Sequence, residues 1–481
     1  MAADLEAPTA EQVAAHYHQS LERKRSARRL MWGVGLAFVL VLLLLPGAFY
    51  AGWQMRSRAL LKQELDAIKQ SGQPLTTAEM QAWYKVPAGT RDLTQVWLDA
   101  LAPFDTPQYK ATRRGVPIVG TGWTELPLDQ PLATADEQLI HTFLQSHRDA
   151  LAQVRHAAQQ PGEVRYAFDF RHGLMAPVDE LGLLREVTRV LCLEFELQAR
   201  EADLSAAFVN LETRLAAADT LKQQRSLING HFRNALHTYV MRDIRRLVAA
   251  NRLNDEEMAR LQRLLRSITG QDSLPDAILV ERALQFQLFH HDLGFVPDLH
   301  GLDVPPRETS YAISQIRRPE DCALSLAMLA RALEASRTPL PTMLASLRDL
   351  EQEMQPRFEG PVQLQQVRYK VSVDWLNSLH AYAQTMGQNE ALRQVLDTAL
   401  AMERYQLRHH RPAPTLAELI PDFLPEMPID PFDGQPLRML VQDDRLTIYS
   451  IGKDLVDDGG TCQLPRQEPD IAIEIKLSEA P

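Results

Sequence analysis

Cysteine is nearly absent from this chain: Cys192, Cys322 and Cys462 are the three in 481 residues, far apart and without CxxC spacing. That excludes a disulfide framework and a thiolate metal cluster. One bridge between two of them in an oxidising compartment stays open, and Cys192, inside an apolar helical run, reads as a small core residue. Lysine is scarce too, 9 against 42 arginines, and the formal net charge is −11. With no basic patch interleaved with aromatics, a nucleic-acid partner is not expected. The HExxH, GxSxG, P-loop and GxGxxG signatures are all missing, so no short motif points to a reaction.

What the chain does have is one long greasy run. Leu30 to Trp53 reads LMWGVGLAFVLVLLLLPGAFYAGW, without a charge. At about 1.5 Å per residue it is long enough to cross a hydrocarbon core of roughly 30 Å as a helix. Arg23, Lys24, Arg25, Arg28 and Arg29 precede it; Arg56, Arg58 and Lys62 form a weaker cluster after it. The stronger positive flank stays in the cytoplasm, which predicts an inside N-terminal tail and an extracytoplasmic bulk. Trp32, Tyr50 and Trp53 sit near the ends, where amphipathic rings favour the headgroup layer. The 29 residues ahead of the run, its length and the lack of a fitting small-x-small site favour a retained single-pass anchor over a cleaved signal peptide.

The remainder, 45% hydrophobic and 23% charged over the whole chain, is ordinary globular composition with room for two folded units. We divide the chain into a cytoplasmic tail (1–29), the transmembrane helix (30–53), a membrane-proximal helix and loop-rich segment (54–133), a helical domain (134–386), a small α+β domain (387–465) and a C-terminal tail (466–481). The helical domain is either solenoid-like or compact and irregular. Thr134 and Glu137 have capping-box spacing, as do Asn254 and Glu257. Apolar residues recur at three- and four-residue intervals over 178–200 and from Asp203 onward, and the short AREADLS link predicts a helical pair. Further helices are expected near 219–250, 255–268, 275–291, 319–336, 339–354, 372–385 and 389–409. The fold class is therefore mainly α with a small α+β end.

After the last helix the text turns proline-rich, then alternates as a strand over Arg445–Ile451, then becomes polar in GKDLVDDGGTCQ. Two stretches stand out: Pro428-Ile429-Asp430-Pro431-Phe432-Asp433-Gly434-Gln435-Pro436-Leu437, and Tyr449-Ser450-Ile451-Gly452-Lys453-Asp454 followed by Asp457-Asp458-Gly459-Gly460. In order and spacing they resemble the soluble domain of the type II secretion major (G-type) pseudopilin. The arrangement as a whole resembles membrane-anchored proteins of planctomycete-type bacteria that pair a helical region with this tail. Residues 54–386 separate this stretch from the apolar run, and the N-terminus has no short pseudopilin leader, so peptidase processing is not expected. The resemblance implies a cell-envelope setting and a calcium ion held by Asp454, Asp457 and Asp458, with Asp433 as a neighbour. Hard cations take six to eight oxygens, which clustered carboxylates and loop carbonyls provide; the other reading is a polar turn facing water.

Other clusters carry less. His290-His291-Asp292 is the densest ligand-type group, but neighbouring helical side chains diverge by about 100°. His409-His410 suits a helix C-terminus. Arg245-Arg246 and Arg317-Arg318 read as solvated helix faces, and Trp83, Trp97, Trp123 and Trp375 as core or interface anchors. The expectation is an envelope protein of the inner membrane that binds another protein without catalysing a reaction. The alternatives are an accessory part of type II secretion or pilus-like machinery, and an enzyme using scattered acids of the helical domain.

Overall fold

A single helix, α1, runs from Ala10 to Ser71 with Pro46 inside it. Its middle is apolar on every side and exposed: Leu30 is 70% accessible, Trp32 76% and Phe49 79%. Leaving such side chains in water forgoes about 1.5–3 kcal/mol each. Among the described residues this is the one helix long and apolar enough to cross a membrane. The computed structural model describes residues 10–85, 89–120, 128, 130–170, 178–223, 226–250, 253–270, 273–290, 319–358, 369–461 and 470–477. They belong to two compact units, Met1–Asp66 and Ala67–Pro481.

The second unit is mainly helical. Its short α2 (Thr77–Trp83) starts on a capping box, in which the Thr76 side chain accepts from the Glu79 amide and Glu79 accepts from Thr76. The proline- and glycine-rich stretch that follows forms α3 (Thr94–Leu101), a single 3-10 turn and α4 (Pro107–Thr112). These bury Trp97, Leu101, Phe104 and Tyr109 against α5 (Thr134–Ser146), α6 (Arg148–Ala158) and α7 (Asp179–Arg200). The box expected at Thr134 and Glu137 does not form. Ala133 is the extended residue ahead of α5, and its carbonyl takes the Glu137 amide at 3.0 Å, so Thr134 becomes the first helical residue.

Helices α7 and α8 (Leu204–Asp219) make the expected pair; Asp203 caps α8 through the Ala206 amide. Next come α9 (Leu227–Ala249), α10 (Asp255–Ser267), α11 (Leu274–His290), α12 (Pro319–Ala335) and α13 (Leu340–Phe358). The Asn254–Glu257 capping box is present at the start of α10.

The two helices expected at 372–385 and 389–409 are one. Helix α14 runs from Lys370 to His409, straight across position 386/387. Gly387 does not interrupt it; a Cβ there would lie 2.8 Å from Leu344 Cδ1 and 3.1 Å from the Phe432 ring. The residue is small because other elements approach, not because the helix stops. Helix α14 packs on α9, α10, α12, α13 and the sheet. Solenoid repeats touch only their neighbours, whereas here one late helix gathers elements from far earlier in the chain.

The sheet has three antiparallel strands in the order β1 (Arg438–Gln442), β2 (Arg445–Ser450), β3 (Ile471–Lys476). A two-residue turn, Asp443-Asp444, joins the first two, with Asp443 at φ 52°. Leu446 pairs with Ile475 and Ile448 with Ile473, and all four are buried in the cluster that includes Val395, Ala399 and Met402 of α14. Alternation in the strands meets a helix face, as side-chain periods of two and 3.6 require.

Candidate functional sites

The acidic turn after β2 is built around one buried carboxylate. Asp430 is fully buried and accepts from the Phe432 amide (2.9 Å), the Ile451 amide (2.9 Å), the Ser450 hydroxyl (2.9 Å) and Arg438 (3.3 Å). Burial pushes its carboxyl up, against the pull of these donors. The two stretches quoted from the sequence therefore meet at this side chain. Arg438, the first residue of β1, spreads its guanidinium over three carboxylates: Asp433 at 2.7 Å, Asp457 at 3.2 Å and Asp430 at 3.3 Å. Asp457 also accepts from the Tyr449 hydroxyl and the Gly459 amide, each at 3.1 Å. The Gly459 amide, above all, holds its carboxyl below the usual range, with Tyr449 and Arg438 assisting.

Asp454 accepts from the Val456 amide at 3.2 Å and faces water, and Asp458 is exposed. Asp470, just before β3, was not among the residues read from the sequence. It is fully buried; one oxygen takes the Gly460 amide at 2.7 Å and the other, Oδ1, has no hydrogen-bond partner. Burial raises its pKa, and the charges of Asp458 and Asp457 add to that. Among the described residues no three His, Cys, Asp or Glu side chains are gathered closely enough to hold a metal ion.

A second candidate is a depression of ≈ 750 Å³ beside α2, between Thr77, Gln81, Tyr84 and Lys85 on one side and Arg165 and Phe168 on the other. Thr94 positions the Arg165 backbone, accepting from its amide at 2.8 Å and donating to its carbonyl at 3.2 Å. The guanidinium is thereby turned over the Tyr84 ring, 4.9 Å from its centroid, and donates to the Lys85 carbonyl and to Gln223 (3.3 Å). One guanidinium over an aromatic face, with Lys85 also in the lining, suits an anionic group with a flat apolar body. No Ser, Cys or His is among the described lining residues, and Asp169 is their one acid.

A third cluster, of paired charges, lies between α7, α8 and α9. Arg214 and Asp243, each 1% exposed, pair at 2.7 Å, and Arg214 also donates to Cys192 Sγ at 2.9 Å. Asp243 takes Arg246 at 3.3 Å, and Glu196 takes Arg246 at 2.8 Å and Arg200 at 3.0 Å. Burial would raise Glu196, yet the two arginines hold it below its ordinary pKa. Arg246 is thus a half-buried ion-pair residue, not part of the solvated face expected for Arg245-Arg246: α7 packs against α9 and its Glu196 takes the guanidinium. Nothing in one dimension tells such an arginine from a surface one.

Cys192 and Cys322 are buried free thiols; Cys462 lies outside the described residues, as do Arg317, Arg318, Trp123, His291 and Asp292. His409 stacks 4.2 Å from the Tyr405 ring centroid, and His410 ends α14 in the left-handed conformation. Trp97 and Trp375 are core residues.

Compared with known proteins, this chain matches no family model, no curated relative and no solved structure. Its class therefore rests on its own architecture: a mainly helical protein with one apolar N-terminal helix of membrane-spanning length.

Proposed function

We propose that this chain is a single-pass, membrane-anchored protein of the cell envelope that binds another protein and does not catalyse a reaction. The observation that carries the anchor is the fully exposed apolar window of α1, which only hydrocarbon satisfies. The cation excess ahead of Leu30 supports an inside N-terminus and an extracytoplasmic bulk. The depression beside Tyr84 and Arg165 supports docking of a protein partner, as a place that takes an anionic or aromatic side chain. In sealed right-side-out vesicles, protease should digest the region after Trp53 while a tag on the N-terminal tail survives. Full-length chain in the aqueous fraction after cell breakage would sink the anchor.

The second reading is an accessory part of type II secretion or pilus-like machinery. It is favoured by the convergence of the Pro428–Leu437 and Tyr449–Asp458 stretches at Asp430, the pair of stretches that resemble the pseudopilin domain. Calcium at Asp454, Asp457 and Asp458 belongs to this reading. Its support is the buried, unpartnered Oδ1 of Asp470 beside Asp457 and Asp458; its obstacles are that no three acids among the described residues are gathered closely enough to hold an ion, and that Arg438 is paired with Asp457. Millimolar calcium, but not magnesium, should then raise the melting temperature of the detergent-solubilised chain, and Asp470→Asn should abolish the rise. No shift with calcium removes the ion from the account.

A further inference from the structure

Within seven positions of α1 stand five cations, Arg23, Lys24, Arg25, Arg28 and Arg29, all exposed. Glu22 is the acid next to them. Among the described residues none of the five is held in an ion pair. At about 1.5 Å per residue they occupy roughly 10 Å of helix axis, ending where the apolar run begins at Leu30. The headgroup layer of a bilayer is about 5–8 Å deep on each side of the hydrocarbon. With the run in the core, these cations stand at headgroup depth.

Their angular placement matters as much as their depth. At about 100° per residue they point to roughly 0, 100, 200, 140 and 240° around the axis. That is a collar around most of the helix. A stripe of cations lays a helix flat on a surface; a collar over about two thirds of the circumference meets headgroups on most sides of an upright one. Long arginine stems can lie along the apolar boundary while the guanidinium forks reach phosphate oxygens. On the other flank Arg56, Arg58 and Lys62 are fewer, and Glu64 and Asp66 stand beside them.

We infer that the Arg23–Arg29 collar binds the headgroups of anionic phospholipids and selects them over zwitterionic ones. The inference rests on the anchor reading and deepens it by naming the lipid class held at the N-terminal flank.

The test uses the full chain in nanodiscs of phosphatidylcholine with about one third phosphatidylglycerol, one lipid at a time carrying brominated acyl chains. Quenching of Trp32 reports which lipid is adjacent, with Trp32→Phe as the blank. A cation near an anionic surface contributes roughly fivefold in affinity, so the collar should enrich phosphatidylglycerol at least about tenfold around the wild-type chain. Replacing all five cations with Gln should remove that enrichment, while Arg56→Gln/Arg58→Gln/Lys62→Gln should keep most of it. Quenching by the two lipids in proportion to their share of the bilayer, or enrichment that survives replacement of all five cations, overturns the collar and leaves the anchor standing. Quenching by neither lipid overturns the anchor, and the collar with it.

Discussion

At the scale of single residues, the chain places charge where neighbours absorb it. Asp430 is the clearest case, a buried carboxylate whose donors come from its own turn, from β1 and from the end of β2. His237 is the opposite case, a buried base kept neutral. It is 2% exposed, and burial first, then the Arg233 charge, pushes its pKa down to about 3. The unfolded imidazole takes a proton near pH 6.5, while the folded one refuses it until about pH 3. Its contribution is thus whole above pH 6.5 and lost as pH falls toward 3, on the order of 4 kcal/mol across that window. Urea unfolding of wild type and His237→Gln between pH 7 and 3.5 should show the wild type losing stability faster; parallel acid limbs would mean that the histidine charges freely in the fold. Nothing in the local sequence marks position 237, because its burial is set by packing, not by neighbours in the chain.

At the scale of elements, close approach between helices decides more than propensity does. Gly230 lies inside α9, where glycine costs about 1 kcal/mol relative to alanine. A Cβ there would come within 2.7 Å of Tyr382 Cε2 and Oη, and Tyr382 is itself 1% exposed in the α14 core. Overpacking of that kind costs about 1–3 kcal/mol, so the clash outweighs the propensity gain. Gly230→Ala should lower the urea midpoint, by about 1 kcal/mol net, and adding Tyr382→Leu should restore part of it. A stabilised Gly230→Ala would mean that α9 and α14 are not in contact at this point. Periodicity made most helices legible, from α7 to α13, because an amphipathic pattern is local. The union of two expected helices into α14 was not legible, since a glycine that marks a break and a glycine that admits a neighbour look alike in one dimension.

For the whole molecule, the question is whether the part after the apolar run is one folding unit or two. The sequence divides it at 386/387, yet α14 crosses that position and contributes Leu376 and Leu379 to one core cluster and Val395 and Leu400 to another. Neither half of this helix can leave its partners without exposing buried leucines. Residues 67–481 should therefore unfold in a single transition in urea when followed by both tryptophan fluorescence and circular dichroism; two separated transitions would restore a boundary near 387. By itself, the sequence determined the apolar span, the helical class and the strand that forms β2, because each is written in hydrophobic content or period along a few turns of chain; β3 (Ile471–Lys476) lies in the segment read as a C-terminal tail, because its partner strand is distant in the chain. Only the tertiary structure decided which acids Arg438 gathers, that Asp470 lies buried beside them, and that Arg246 is paired with Glu196 and Asp243. Those depend on residues distant in the chain sharing one volume, and no local pattern encodes that.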